Sequence, residues 1–291
     1  MKFDRDARRR VFNWIVGVLC FLCVVAALVP LLSILYTAFI NGGHVLSLSF
    51  LVSKENNVGV CFPGDPASCS VGGIGPALYG TGVVVGLASL MSVPVGVLSG
   101  IYLSEYGRNP LGRSISFFTD VMTGTPSIVV GLFVYATFVY IARTVVFSAL
   151  SGAVALAIIM VPTITRTTEE GLRLVPNTLR EGAYALGIPR YRAVLQIVLS
   201  SGRSIVVTGV VLAVMRAAGE VAPLLVTAFG SSLGFTGVNE PAGLLGPLIF
   251  FDATGGSSLL VSAAWGASLV LILLMLGISL LARIALRNRF K

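Results

Sequence analysis

The chain has 291 residues, of which 56% are hydrophobic and only 11% charged. Soluble domains carry roughly 25% charged residues, so this composition excludes a water-soluble enzyme, a nucleic-acid-binding domain and a disordered chain. The net charge of +8 therefore points to the cytoplasmic edges of membrane helices rather than to a nucleic-acid surface.

A membrane span needs about 20 predominantly apolar residues. Six stretches qualify, in the order Phe12–Ile40, Pro76–Leu103, Ile115–Ala142, Val145–Thr165, Ser204–Phe229 and Ser257–Ala285. They predict an all-α, polytopic membrane protein with six transmembrane helices. The first stretch exceeds the apolar core of a signal peptide, about 7–15 residues, and lacks an evident cleavage site, so it reads as a retained helix. The expected organisation is a cytoplasmic tail (1–11), the first helix (12–40), an external loop (41–75), a core of five further helices (76–285) and a short tail (286–291).

The basic residues orient this arrangement. With the N-terminus inside, seventeen of the twenty fall on the cytoplasmic side, whereas Lys54 and Arg143 lie outside and Arg216 lies within a span. This asymmetry predicts both termini in the cytoplasm. Of the four cysteines, Cys20 and Cys23 read as small apolar fillers of the first helix. Cys61 and Cys69 share the first external loop with two prolines between them, where an oxidising exterior would allow a disulfide.

Only three lysines occur, and none follows a glycine, so the phosphate-binding loop GxxxxGK[ST] is absent. One histidine, His44, is too few for a His-rich metal site or a His-based triad. No catalytic residues, no metal ligands and no nucleic-acid motif are expected.

Three ionisable residues fall within spans: Asp120, Arg216 and Glu220. Such groups are costly in lipid and mark a pathway or a partnered charge. Arg216 and Glu220 stand four apart, on one helical face. They read either as a structural ion pair or as pathway groups, in which the arginine fork would meet an anion and the glutamate would temper its hold. Arg216 lies about 18–20 Å from the expected inner start of its helix, near mid-membrane. The stretch Thr123, Gly124, Thr125, Pro126, Ser127 reaches a similar depth. Its proline reads either as a break whose amides and hydroxyls face an anion, or as a packing kink with hydroxyls bonded back to the helix. Asp120 reads as a helix-pairing or gating group.

The least membrane-like inner segment is 166–203. Between Pro176 and Pro189 it predicts a short helix over Leu179–Leu186, stopped by Gly187 in a left-handed conformation. Here the sequence resembles the signature loop of ABC importer permeases: Glu181, Gly182, Ala183, then Gly187, Ile197 and Leu199 keep the family spacing, while Gly182 and Ser200 depart from it. The stretches Gly73–Tyr106, Thr123–Phe133 and Arg216–Leu225 are similar to the phosphate-import permeases, closer to their PstA type than to their PstC type.

The resemblance implies a type I importer permease (MetI-like) architecture and a coupling helix that inserts into a separate ATPase subunit. Arg180, Glu181, Gly182, Ala183 and Gly187 would mediate the coupling, with Arg180 and Glu181 pairing across the interface. It also implies a pathway role for Arg216 and Glu220. The implied partners are a PstC-like permease in a heterodimer, an ATPase dimer that binds the ATP, an external phosphate-binding protein and membrane lipid. No cofactor is expected in this chain. An importer for sulfate or molybdate, or a secondary transporter or channel, stands as the alternative.

Overall fold

The structure is a computed structural model and describes residues 2–53, 72–142, 147–230 and 235–287. Cys61, Cys69, Lys54 and Arg143 lie outside the described residues.

Helix α1 runs over Lys2–Gly43, ten residues earlier than the apolar stretch alone predicts. Every residue from 8 to 36 is exposed, Cys20 and Cys23 included. Such a surface is stable in lipid and not in water. The helix meets the rest of the chain near its outer end, where Gly42 packs on the backbone of Trp265 and on Leu269. A short helix, α2 (Leu48–Val52), follows, capped by the Ser47 side chain accepting from the Phe50 amide at 3.1 Å.

Helices α3 (Gly75–Tyr106) and α6 (Ala149–Arg173) form the centre. The Ser92 hydroxyl donates to Met160 Sδ at 3.7 Å, Gly96 lies against Ile164, and Gly100 lies against Thr168. The paired numbers rise together, so the two helices are parallel. Close approach is what the glycines supply: a Cβ on Gly100 would come 2.6 Å from the Thr168 Cβ. Small residues at such a seam are the usual way that helices pack in lipid, where no hydrophobic gain drives association.

Because α3 and α6 are parallel, the chain between them must return across the membrane once. It does so as two helices, α4 (Pro110–Gly124) and α5 (Ser127–Thr137), bent by 107°. A π-turn over Phe138–Ala142 extends α5. The expected third span is therefore broken at Thr125–Pro126. Proline has no amide hydrogen and excludes the preceding residue from the helical region, and Thr125 is extended at ψ 131°.

The fourth and fifth spans are also longer than predicted. Helix α6 continues to Arg173, because Arg166, Glu169 and Arg173 pair along one face and satisfy each other. The fifth span begins at Arg190 rather than Ser204. It comprises α8 (Arg190–Arg192), a π-helical stretch (Ala193–Val198) and α9 (Leu199–Ala218). The connecting loop accordingly shrinks from 166–203 to 174–189, and α7 (Asn177–Ala185) fills most of it.

Helix α9 is antiparallel to α6: Gly171 meets Ile205 and Gly209 meets Thr167. After Gly219 the chain turns into α10 (Ala222–Thr227), which packs on α5 through Pro223 against Gly131. Between the fifth and sixth spans lies a short apolar helix, α11 (Leu245–Thr254). Helix α12 (Ser258–Arg287) closes the bundle. The core is a buried cluster that includes Val84, Ala88, Leu156, Met160, Ala213, Ala217 and Leu224, drawn from α3, α6, α9 and α10. Among the described residues, five helices are long and apolar enough to cross a membrane, and the bent pair makes a sixth crossing.

Candidate functional site: a mid-membrane charge pair and a cytoplasmic helix

Two regions carry the chemistry. The first surrounds Arg216. Helix α9 stops at Ala218, and Gly219 caps it. Glu220 is therefore not on the same helix as Arg216, as the sequence pattern predicts, but on the linker beyond it. The pair still forms, with Arg216 Nε 3.4 Å from Glu220 Oε1. Since Glu220 lies off the helix, the orientation preference for charges four apart does not govern it.

Arg216 is in the last turn of its helix yet sits at mid-depth. Carrying the α6–α9 register forward from Gly209 opposite Thr167 brings Arg216 level with Met160, midway along Ala149–Arg173. Its side chain is 59% exposed, whereas Glu220 is 17% exposed. A guanidinium at this depth costs about 2.5–3.5 kcal/mol on insertion scales when it faces hydrocarbon. The exposed face around Arg216 is thus suited to a protein partner or an aqueous passage.

The second broken helix lies beside this region. Both the Thr125–Pro126 break and the Gly219 break lie on the inner side of the Gly131–Pro223 contact. The hydroxyls of Thr123 and Thr125 donate back to the Thr119 and Val121 carbonyls at 2.8 and 2.9 Å. Of the two readings of this break, that is the one in which the hydroxyls bond back to the helix. The start of α5 is different: no hydrogen bond is formed by the Ser127 and Ile128 amides among the described residues, as expected of a helix N-terminus. Gly124 is open: a side-chain carbon there would meet nothing within 4 Å. No hydrogen bond joins Thr123–Ser127 to Arg216 or Glu220 among the described residues.

Asp120 pairs helices, as one of its readings has it. It bonds Arg166, which also reaches Ser116 Oγ at 2.9 Å and Glu169 Oε2 at 2.7 Å. Arg173 holds the other Glu169 oxygen at 2.7 Å. This chain of charges ties α4 to the cytoplasmic end of α6. Sequence reasoning missed Arg166, Glu169 and Arg173, although their three- and four-residue spacings were the available signal.

The second region is α7. Gly187 has φ +73°, and the Gly187 and Ile188 amides donate to the Tyr184 and Ala183 carbonyls at 2.9 and 3.1 Å. That is a Schellman stop. Glu181 and Gly182 are exposed, as are Leu179, Tyr184 and Leu186. Ala183 is buried, so it seats the helix rather than facing outward. Arg180 also turns inward. Its side chain, 13% exposed, contacts Glu105 Oε1 at 3.0 Å and donates to the Leu172 and Val175 carbonyls at 2.9 and 2.7 Å. Arg180 is committed within the chain, which corrects the expectation that it pairs across an interface; Glu181 remains open. Glu105, 75 residues away in sequence, carries no local signal of this role.

An all-helical polytopic bundle with a broken mid-membrane pair and a protruding cytoplasmic helix defines a membrane transport subunit. The chain belongs to the binding-protein-dependent transport system inner membrane component family, which matches residues 92–289. It is 36% identical to the phosphate transport system permease protein PstA of Yersinia pestis, covering 96% of this chain and 92% of that one. It is 34% identical to the PstA protein of Haemophilus influenzae, over 99% and 100% of the two chains. An inward-facing structure of the MetNI methionine ABC transporter superposes with a TM-score of 0.57 at 20% identity, over 73% of this chain and 92% of the other. That likeness shows the fold. The expected MetI-like, multi-pass architecture is thereby established, and the family is one of transport components rather than enzymes.

Proposed function

We propose that this chain is the permease subunit of an ATP-driven phosphate importer, forming half of the passage. The names of its full-length relatives support phosphate as the cargo. The observation that carries the reading is Arg216: a fixed positive charge at mid-depth, largely exposed, with the Glu220 carboxylate beside it. Its planar fork suits phosphate oxygens, and Glu220 keeps the site from holding a dianion too firmly. The exposed face then meets a second, PstC-like permease, and phosphate passes between the two. The Ser127 and Ile128 amides at the α5 start supply further donors, with Gly124 leaving room for approach.

An external phosphate-binding protein delivers the anion, and a dimer of separate ATPase subunits binds ATP and drives the cycle. The outward face of α7, with Glu181, Gly182, Tyr184 and Leu186, docks into one ATPase, and Gly187 fixes the turn that presents it. The test is radiolabelled phosphate uptake into vesicles containing the full complex, with sulfate and molybdate as competitors. Arg216→Gln is expected to abolish uptake while the subunits still copurify. Normal uptake by that variant would remove the pathway role, and stronger competition by sulfate or molybdate than by unlabelled phosphate would reassign the cargo.

A further inference from the structure

A cavity of about 910 Å³ lies at the cytoplasmic end of the bundle, far from Arg216. Four arginines line it: Arg108 after α3, Arg173 at the end of α6, Arg180 on α7 and Arg190 at the start of α8. Glu105 is the one carboxylate in the lining, and Arg180 already occupies it at 3.0 Å. Arg173 is held by Glu169 at 2.7 Å. Two positive charges therefore remain without a carboxylate among the described residues. Arg108 is exposed at the rim. Arg190 stacks 4.6 Å from the centre of the Tyr106 ring and bonds only a carbonyl, that of Glu105 at 3.3 Å.

The polar neighbours match this charge. Asn109, at the N-cap of the 15-residue helix α4, makes no side-chain capping bond, and Pro110 follows it. Asn109 is part of the cavity lining, so the positive end of α4 borders the cavity. The volume falls within the range of ligand sites, about 300–1,000 Å³, and exceeds what one bare ion fills. Basic pockets between helices at the cytoplasmic boundary are of the type that takes phosphate-bearing headgroups.

We propose that this cavity is a second, non-transporting oxyanion site that takes a phosphate group, free or carried on an anionic lipid, with Arg108 and Arg190 as its ligands. The bound anion bridges the α3–α4 turn, the start of α8 and, through Asn177 at the edge of the cavity, the base of α7. It neutralises the excess charge that otherwise pushes these segments apart, and so clamps α7 against the bundle.

The test uses the chain in whatever assembly it purifies with, lacking external binding protein and carrying Arg216→Gln so that the pathway does not contribute. In phosphatidylcholine nanodiscs, radiolabelled inorganic phosphate is titrated by equilibrium dialysis. In parallel, phosphatidylglycerol retained through purification is measured by native mass spectrometry. Arg108 is exposed, so Arg108→Gln leaves the fold intact, and Arg190→Gln serves as a second variant. Saturable phosphate binding that weakens about tenfold in either variant, the equivalent of ~1.4 kcal/mol, assigns a free anion. Retained phosphatidylglycerol that is lost in either variant assigns a lipid headgroup. The proposal is overturned if neither ligand is held, or if both variants hold them as the parent does.

Discussion

Arg180 of the cytoplasmic helix is bonded to Glu105 at the end of the second span, at 3.0 Å, with both side chains largely buried. The contact joins the part of the chain that faces the cytoplasm to a helix that crosses the membrane. Removing one member of a buried pair leaves the other charge unmatched, at a cost of about 3–5 kcal/mol. Arg180→Ala is expected to lower thermal stability by that order and to expose residues 174–189 to protease. Arg180→Lys should recover only part of the loss, because an ammonium cannot reach the Leu172 and Val175 carbonyls and Glu105 together. Full recovery with lysine would show that charge alone matters.

The seam between α3 and α6 depends on what glycine lacks. A side chain at Gly100 would meet the Thr168 Cβ at 2.6 Å and the Thr165 carbonyl at 2.7 Å. Both obstacles are rigid, so Gly100→Val is expected to cost at least the 1–3 kcal/mol typical of overpacking. The readout is the yield of monodisperse protein in detergent and its melting temperature. Gly82 has nothing within 4 Å, so Gly82→Ala is the control and should change neither.

The stop of α7 makes a different demand. Gly187 has φ +73° with open space around its Cβ position. A side chain there strains the backbone by roughly 1–2 kcal/mol without any clash. Gly187→Val should therefore leave the membrane bundle folded while reducing ATPase copurification and phosphate uptake. Gly187→Asn, which tolerates this region better, should restore much of both. Equal effects of the two variants would argue against a backbone cause.

The Asp120–Arg166–Glu169 chain predicts an asymmetry. Asp120 is 64% exposed, whereas the Glu169 side chain is 4% exposed. Exposed pairs contribute about 0–1 kcal/mol. Asp120→Asn should thus be nearly silent in a melting experiment, and Arg166→Ala should be several-fold more damaging because it strips a buried carboxylate of one partner. If the two variants melt alike, the order of burial along this chain is wrong.

Much of this was legible in the residues, for physical reasons. Apolar length reveals spans, and arginine asymmetry reveals their orientation. Gly187 announced its own conformation, since few residues accept it. Helix ends were less legible. Arg166 to Arg173 reads as loop by polarity, yet the charges satisfy one another and let α6 continue. Arg190 to Arg203 reads as loop too, but its buried Ala193, Val194 and Val198 pack against the bundle. Pro126 signalled a break without its 107° size. Arg180 was placed on the correct helix and the wrong face, because only the fold brings Glu105 beside it. The pairing of Arg216 with Glu220 followed from spacing, although the helix ends between them.

The parallel pairing of α3 and α6 has a mechanical consequence. Two long helices locked by glycine contacts at Gly96 and Gly100 behave as one stiff lever. The Arg180–Glu105 bond fastens α7 to the end of it. The neighbouring elements, α4 with α5 and α9 with α10, are each jointed partway across the membrane. A push delivered at α7 would thus enter a stiff element first, and the bends at Thr125–Pro126 and Gly219, beside Arg216, are where the bundle is best able to yield.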